Sequence, residues 1–169
     1  MAEKQFSERA RWFLQNLQRL QDDFAESVGG QIVTTDKEGN LVTKMSGAQR
    51  VCKLIMGTEK GKTKCGEAYK TALSLVKTMK EPAFMDCYAG YASLWVPIKI
   101  NGKIVGSITG CGGRYDRGES REALREKFSK LADELGISDK EDFLKAAVDE
   151  IKPVVTLAEE EVLKEVFGE

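Results

Sequence analysis

Four cysteines carry the most distinctive chemistry in this sequence, and no histidine accompanies them. They are Cys52, Cys65, Cys87 and Cys111. Without histidine, Ser–His–Asp and Cys–His catalysis, the usual catalytic zinc sites and histidine-ligated haem are all excluded. In a reducing compartment, thiols of this kind bind a metal, carry out redox chemistry or pack as small apolar residues. The sequence therefore predicts a binding protein rather than an enzyme.

The ligand type favours zinc or an iron–sulfur cluster, because soft tetrahedral sulfur sites select these groups. The cysteine spacings match neither the paired CxxC of zinc ribbons nor the tight runs of ferredoxins. Cys111 lies between Gly110 and Gly112-Gly113, and glycine-rich turns offer backbone N–H groups to anions and to cluster sulfides. We therefore expect a four-iron cluster ahead of zinc. Small buried cysteines and a redox thiol pair are the alternatives.

Hydrophobic periodicity predicts the elements that must position these cysteines. Strands are predicted over residues 31–35, 41–45, 83–87, 92–100 and 103–110. Helices are predicted over residues 7–28, 48–56, 62–80, 120–135, 138–151 and 154–167. Asn101-Gly102 predicts a hairpin turn, and Ser138 with Glu141 predicts a capping box. No linker divides residues 1–169, which indicates a single domain.

This order of elements favours an α+β fold. We expect a PAS-like five-stranded antiparallel sheet, with helices packed on one face and helical N- and C-terminal extensions. The N-terminal helix covers about 7–28, the sheet and its pocket about 31–115, and the C-terminal helices about 120–167. In such a sheet one strand separates Cys87 from Cys111, and the helices that carry the other two cysteines cover the sheet. All four sulfurs are therefore expected near one point.

Residues beside the cysteines are candidates for contacting a ligand. The hydroxyls of Tyr88 and Tyr91 are placed to bond a ligand or to reach solvent. Trp95 is a candidate for the pocket wall or for the core. Glycines in the turn around Cys111 allow the backbone to approach a bound group closely. The predicted ligand-binding residues are Tyr88, Tyr91, Trp95, Gly110, Gly112 and Gly113.

Composition limits the partners. The formal net charge of −1 gives no general attraction to nucleic acid. No apolar run approaches the roughly 20 residues that span a bilayer, and residues 1–11 lack the apolar core of a signal peptide. We therefore expect a cytoplasmic protein with neither a nucleic-acid nor a membrane partner.

At these residues the sequence resembles the PocR sensory-domain family. The resemblance covers about residues 12–115 and lies in segments 20–25, 51–55, 61–65, 87–91 and 96–106. It implies a PAS-like fold, a role in sensing small molecules such as simple alcohols, and family cysteines at Cys52, Cys65 and Cys87. Two positions depart from the family pattern: Tyr88 stands where histidine is usual, and Cys111 falls within a turn that usually reads Gly-Gly-Gln. With one histidine lost and one cysteine gained, a site of mixed cysteine and histidine side chains becomes a site of four cysteines.

We therefore expect a signalling module that holds a metal centre through four cysteines and senses redox state, a gas or a small ligand. One alternative is a metal-free pocket for a simple alcohol or diol, and another is a thiol redox protein. Output is expected through a partner protein or through further segments of a longer product. The terminal helices are candidates for pairing two copies into a homodimer, with packing inside the monomer as the alternative.

Overall fold

Four antiparallel strands form one sheet in the computed structural model, which describes residues 6–114 and 117–151. The strands are β1 (Gln31–Asp36), β2 (Ala83–Asp86), β3 (Ala92–Ile100) and β4 (Lys103–Gly113). Their order across the sheet is β1–β4–β3–β2, so β3 alone separates β2 from β4, as the sequence predicts. Residue 115 and the helix predicted over about 154–167 lie outside the described residues.

Five α-helices accompany the sheet. They are α1 (Glu8–Val28), α2 (Arg50–Met56), α3 (Glu59–Met79), α4 (Arg121–Leu135) and α5 (Lys140–Leu144), the last of which continues into a π-helical turn (Lys145–Asp149). Ser7 caps α1, Thr58 caps α3 and Ser120 caps α4, each accepting a hydrogen bond from a first-turn backbone N–H. No helix within the described ranges is long and apolar enough to cross a membrane.

The capping box predicted for Ser138 and Glu141 is wrong. The residue that caps α5 is Asp139, whose carboxylate accepts the backbone N–H of Asp142. A carboxylate at the N-cap satisfies the same free donor and also interacts favourably with the helix dipole. The helix therefore begins one residue later than the pattern predicts.

The strand predicted over 41–45 does not form, so the sheet has four described strands rather than five. This segment runs beside the outer edge of β1 and meets it only at isolated bridges, such as Ile32 with Ser46. Between the bridges, the backbone N–H of Thr34 donates to the side-chain oxygen of Thr43. A threonine hydroxyl thus occupies a position that a strand carbonyl would fill, and the ladder is interrupted.

The two faces of the sheet meet different helices. Because side chains alternate along a strand, Gln31, Trp95, Thr109 and Cys111 share one face, which α3 covers. On the opposite face, α1 packs against β1, where Gln21 accepts the hydroxyl of Thr34. The first face therefore carries the predicted site.

Two buried clusters stand on either side of that site. The larger cluster joins α2, α4 and α5 around Phe128, whose ring lies 5.6 Å from the Tyr91 ring and 6.4 Å from the Phe143 ring, centre to centre. The smaller cluster joins α3 to β2 and β3 around Trp95 and Val76. The site therefore lies between two separate buried clusters, one on each side.

The helices α2 and α3 approach each other at Gly61. A Cβ on Gly61 would overlap the carbonyl oxygen of Ile55 and lie 2.8 Å from the Thr58 side-chain oxygen. Gly66, further along the same helix, would meet no atom within 4 Å. The first glycine is therefore required by packing, whereas the second is not.

We predict opposite effects of alanine at these two positions. Gly61→Ala lowers the free energy of unfolding by about 2 kcal/mol or more, because the backbone of α2 must move away. Gly66→Ala, the matched control, raises it by up to about 1 kcal/mol through helix propensity. Urea denaturation measures both, and equal effects would contradict the close approach of the two helices.

Candidate functional site

All four cysteines line a single cavity of about 430 Å³ between the sheet and the helices α2 and α3. Cys52 comes from α2, Cys65 from α3 and Cys111 from β4, and Cys87 follows β2 directly. None of the four forms a disulfide, and each is partly buried. Residues far apart in sequence are thus brought to one cavity by the order of the strands.

The cysteines surround the cavity without forming a cage for one ion. Within the described ranges, no group of three or more Cys, Asp or Glu side chains lies close enough together to hold a single metal ion. Tetrahedral zinc holds its sulfurs at about 2.3 Å, so they lie within about 4 Å of one another. A cluster spreads its cysteines farther apart, since each sulfur binds a different iron. The structure therefore shows four cysteines around one cavity and, among the residues it describes, no assembled metal site.

Cys87 and Cys111 lie across the end of β3 from each other, close enough for their thiols to interact. The interaction lowers the pKa of Cys87, because a protonated Cys111 stabilises the Cys87 thiolate, and it raises the pKa of Cys111. Backbone N–H groups of Tyr91, Ala89 and Gly90 lower the pKa of Cys87 further. These donors outweigh the opposing effect of burial, so Cys87 is the cysteine that most readily becomes a thiolate.

A tight turn at residues 87–91 produces this environment. The backbone N–H of Cys87 donates to the carbonyl of Tyr91, and the N–H of Gly90 donates to the carbonyl of Cys87. Gly90 has φ of +82°, a conformation that side chains disfavour. Successive N–H groups in a turn of this kind form a concavity that favours an anion, here the sulfur of Cys87.

The two helical cysteines behave differently. Burial raises the pKa of Cys52 to about 12. Burial also raises the pKa of Cys65, although a hydrogen bond with the Tyr88 hydroxyl, 3.8 Å away, partly offsets the effect. Without a bound cation, both stay neutral thiols at physiological pH. A metal centre that recruits all four cysteines must therefore displace protons from at least three of them.

The three predicted aromatic residues all line the cavity, with different surroundings. Tyr91 is 1% exposed, and its hydroxyl donates to the carbonyl of Ala147 in the π-helical turn. Trp95 is 3% exposed, and its ring nitrogen donates to the Ser93 hydroxyl. Tyr88 is more open and lies beside Cys65. Tyr91 and Trp95 are thus fixed wall residues, and Tyr88 is the more accessible hydroxyl.

The three predicted glycines do not line the cavity. A Cβ on Gly110 would point toward Ile32 on the opposite face of the sheet. Gly112 has φ of +149° and lies against Gln49 and the start of β1. Gly113 pairs with Ala92 at the end of the β3–β4 ladder. These glycines let the strand pass closely beside its neighbours, and the cysteine between them reaches the cavity.

Sequence patterns did not point to two polar residues on the cavity floor, Gln31 and Thr109. They are 3% and 1% exposed, and both lie on the same face of the sheet as Cys111. In the part of the chain that the structure describes, Gln31 Oε1 and Thr109 Oγ1 have no hydrogen-bond partner. A buried polar atom without a partner costs about 1–3 kcal/mol. Strand alternation counted from Cys111 would have placed Thr109 beside it, whereas the position of Gln31 depends on the register between β1 and β4.

Comparison with protein families gives one match. The family model of the sensory domain found in PocR matches residues 13–166. The match extends well beyond the residues 12–115 over which the resemblance was visible. No curated protein and no solved structure matches the chain significantly.

The pairing of Cys87 with Cys111 makes a prediction for the metal-free, reduced protein. Cys111→Ala removes the thiol that stabilises the Cys87 thiolate, so the pKa of Cys87 rises. The rate at which iodoacetamide modifies Cys87 near pH 7 then falls at least about threefold, and its pH profile moves to higher pH. Peptide mass spectrometry measures the rate. Cys65→Ala is the matched control, and an equal shift in that variant would contradict the specific pairing.

Proposed function

This chain belongs to the PocR sensory-domain family, and we propose that it is a small-ligand sensor whose ligand occupies the cysteine-lined cavity. The observation that carries the proposal is the convergence of four free cysteines, from separate elements, on one cavity. The family supports sensing, and the cavity supports the proposal that the ligand binds among the four cysteines. The same family and the antiparallel sheet support the PAS-like arrangement expected from the sequence. We further propose that the chain binds and signals rather than catalyses.

We propose that the four cysteines hold an iron–sulfur cluster. Three features support the fit: the ligands are all sulfur, one sulfur already accepts several backbone N–H groups, and the cavity is far larger than one ion. Cys52, Cys65, Cys87 and Cys111 would be the ligands. A bound cluster would supply a centre that responds to redox state and to reactive gases. Zinc is the alternative metal for four thiolate ligands.

The chain's own residues supply the surroundings that such a centre needs. The turn at 87–91 directs N–H donors at one sulfur, which stabilises negative charge there. Tyr69 and Trp95, with ring centres 5.5 Å apart, form a wall of the cavity that limits access by water. We propose a cytoplasmic location, because a reducing compartment would keep the four cysteines available as thiols.

A second candidate is a metal-free pocket for a small polar organic molecule. The unpaired oxygens of Gln31 and Thr109 favour it, because a ligand hydroxyl or amine would satisfy both. The aromatic wall would hold the ligand's carbon skeleton. A simple alcohol or diol, the ligand type suggested by the family resemblance, has the required groups. A third candidate function is that of a thiol redox protein, which the proximity of Cys87 and Cys111 would support.

Purification without oxygen separates these candidates. We predict brown protein with broad visible absorption and about four iron and four sulfide per chain. Changing any one of the four cysteines to serine removes most of the iron, because each sulfur binds the centre. Iron, sulfide and zinc analysis provides the measurement.

Other results would redirect the proposal. Colourless protein with about one zinc per chain would replace the cluster by zinc. Protein that stays metal-free after anaerobic reconstitution, and that retains a specific alcohol or diol, would favour the second candidate. Metal-free protein that instead forms a Cys87–Cys111 disulfide under mild oxidation would favour the thiol reading.

The unpaired hydroxyl of Thr109 gives a test that does not require the ligand's identity. Thr109→Val leaves the stability of the ligand-free chain unchanged or raises it by up to about 1 kcal/mol, since no hydrogen bond is lost. Thr35→Val, the matched control on the same sheet face, lowers it by about 1–3 kcal/mol because it leaves the buried hydroxyl of Ser107 unpaired. Urea denaturation compares them. If Thr109→Val lowers the free energy of unfolding more than Thr35→Val does, the Thr109 hydroxyl already stabilises the ligand-free chain. That result would contradict its proposed availability for a ligand.

A further inference from the structure

The N-terminal helix α1 carries an apolar stripe that the described chain leaves exposed. Ala10, Phe13, Leu17, Leu20 and Phe24 follow each other at steps of three, four, three and four residues. We call these five residues the α1 seam. Phe13, Leu20 and Phe24 are 59%, 68% and 55% exposed. An alternation of three and four is the repeat of a coiled-coil seam, whereas a helix that only covers its own core shows a broader stripe.

The position of the α1 seam follows from the other contacts of α1. Gln21 faces β1, and Gln18 and Asp22 reach the segment that runs beside the free edge of β1. The α1 seam therefore lies on the opposite flank of the helix, the one that faces toward β4.

The sheet surface next to this flank is also apolar and exposed. Phe84 on β2 and Val96 on β3 point to the same face as Thr34, with exposures of 69% and 37%. Because α1 packs against β1, it leaves the outer face of the other strands open. The α1 seam, Phe84 and Val96 thus lie on the same side of the sheet. Exposed apolar residues that gather on one side of a domain mark an interaction site.

The charges of α1 indicate what covers this surface. Its N-terminal half carries Arg9 and Arg11 against Glu8, which leaves it net basic, whereas its C-terminal half carries Asp22, Asp23 and Glu26 against Arg19, which leaves it net acidic. Two such helices in antiparallel order place the basic half of each against the acidic half of the other. Parallel order would instead place like charges together, so the charges favour antiparallel pairing with an identical helix.

We propose that this surface is a homodimer interface, in which two copies of the chain pair their α1 helices in antiparallel order about a two-fold axis. The α1 seam of each copy packs on the α1 seam and the outer sheet face of the other. Pairing of helices alone would be marginal, because α1 is only about 32 Å long. The sheet adds the apolar area that a stable interface requires. A two-fold arrangement uses the same patch twice and closes on itself.

Sedimentation of the full chain tests the interface. Wild type sediments with twice the chain mass of 18.7 kDa. Leu20→Gln weakens association at least tenfold, while its melting temperature as a monomer is kept, since Leu20 is exposed in the monomer. Leu75→Gln on α3 is the matched control, because Leu75 is 46% exposed and lies outside the α1 seam. Wild type that remains monomeric would overturn the proposal.

Charge exchange tests the antiparallel order. Arg9 and Asp23 occupy equivalent heptad positions, which face each other only between antiparallel helices. Arg9→Asp and Asp23→Arg each weaken the dimer, and the double variant restores it. Failure of the double variant to recover association would overturn the antiparallel arrangement even if the chain is a dimer.

Discussion

The close approach of the Cys87 and Cys111 thiols is the constraint on which the cavity depends. It exists because β3 alone separates β2 from β4, so the ends of the outer two strands come within reach of each other. The turn at 87–91 adds backbone donors to the same sulfur, which makes one thiolate favourable in an otherwise apolar wall. Burial raises the pKa of the two helical cysteines, so they are neutral thiols. The cavity thus combines one acidic thiol with cysteines that hold their protons.

The walls of the cavity connect it to the rest of the chain. Tyr91 lines the cavity, stacks on Phe128 and donates to a carbonyl of the π-helical turn. Such turns are frequent at functional sites, because the extra residue makes the helix locally adjustable. Arg50, on the same short helix as Cys52, forms ion pairs with Asp142 and Glu150 on either side of that turn. Tyr91 and Arg50 thus connect the walls of the cavity, through direct contacts, to residues 142–150.

Much of the fold followed from sequence patterns because those patterns reflect local physics. The N-terminal helix, the β3–β4 hairpin and the convergence of the cysteines depend on periodicity, one Asn-Gly turn and strand order. The errors arise where a side chain replaces the backbone: the Thr43 hydroxyl ends the ladder of a predicted strand, and the Asp139 carboxylate displaces a predicted cap. The unpaired oxygens of Gln31 and Thr109 were not visible because sequence patterns give no account of which polar atoms find partners.

The central claim is that the four cysteines act as one binding site for one group. Labelling of the anaerobically purified native protein with a small thiol reagent, read residue by residue, tests it most directly. The account predicts that all four cysteines are protected together and become reactive together when the bound group is removed by an iron chelator. Cysteines that react independently of one another before and after chelation would contradict it.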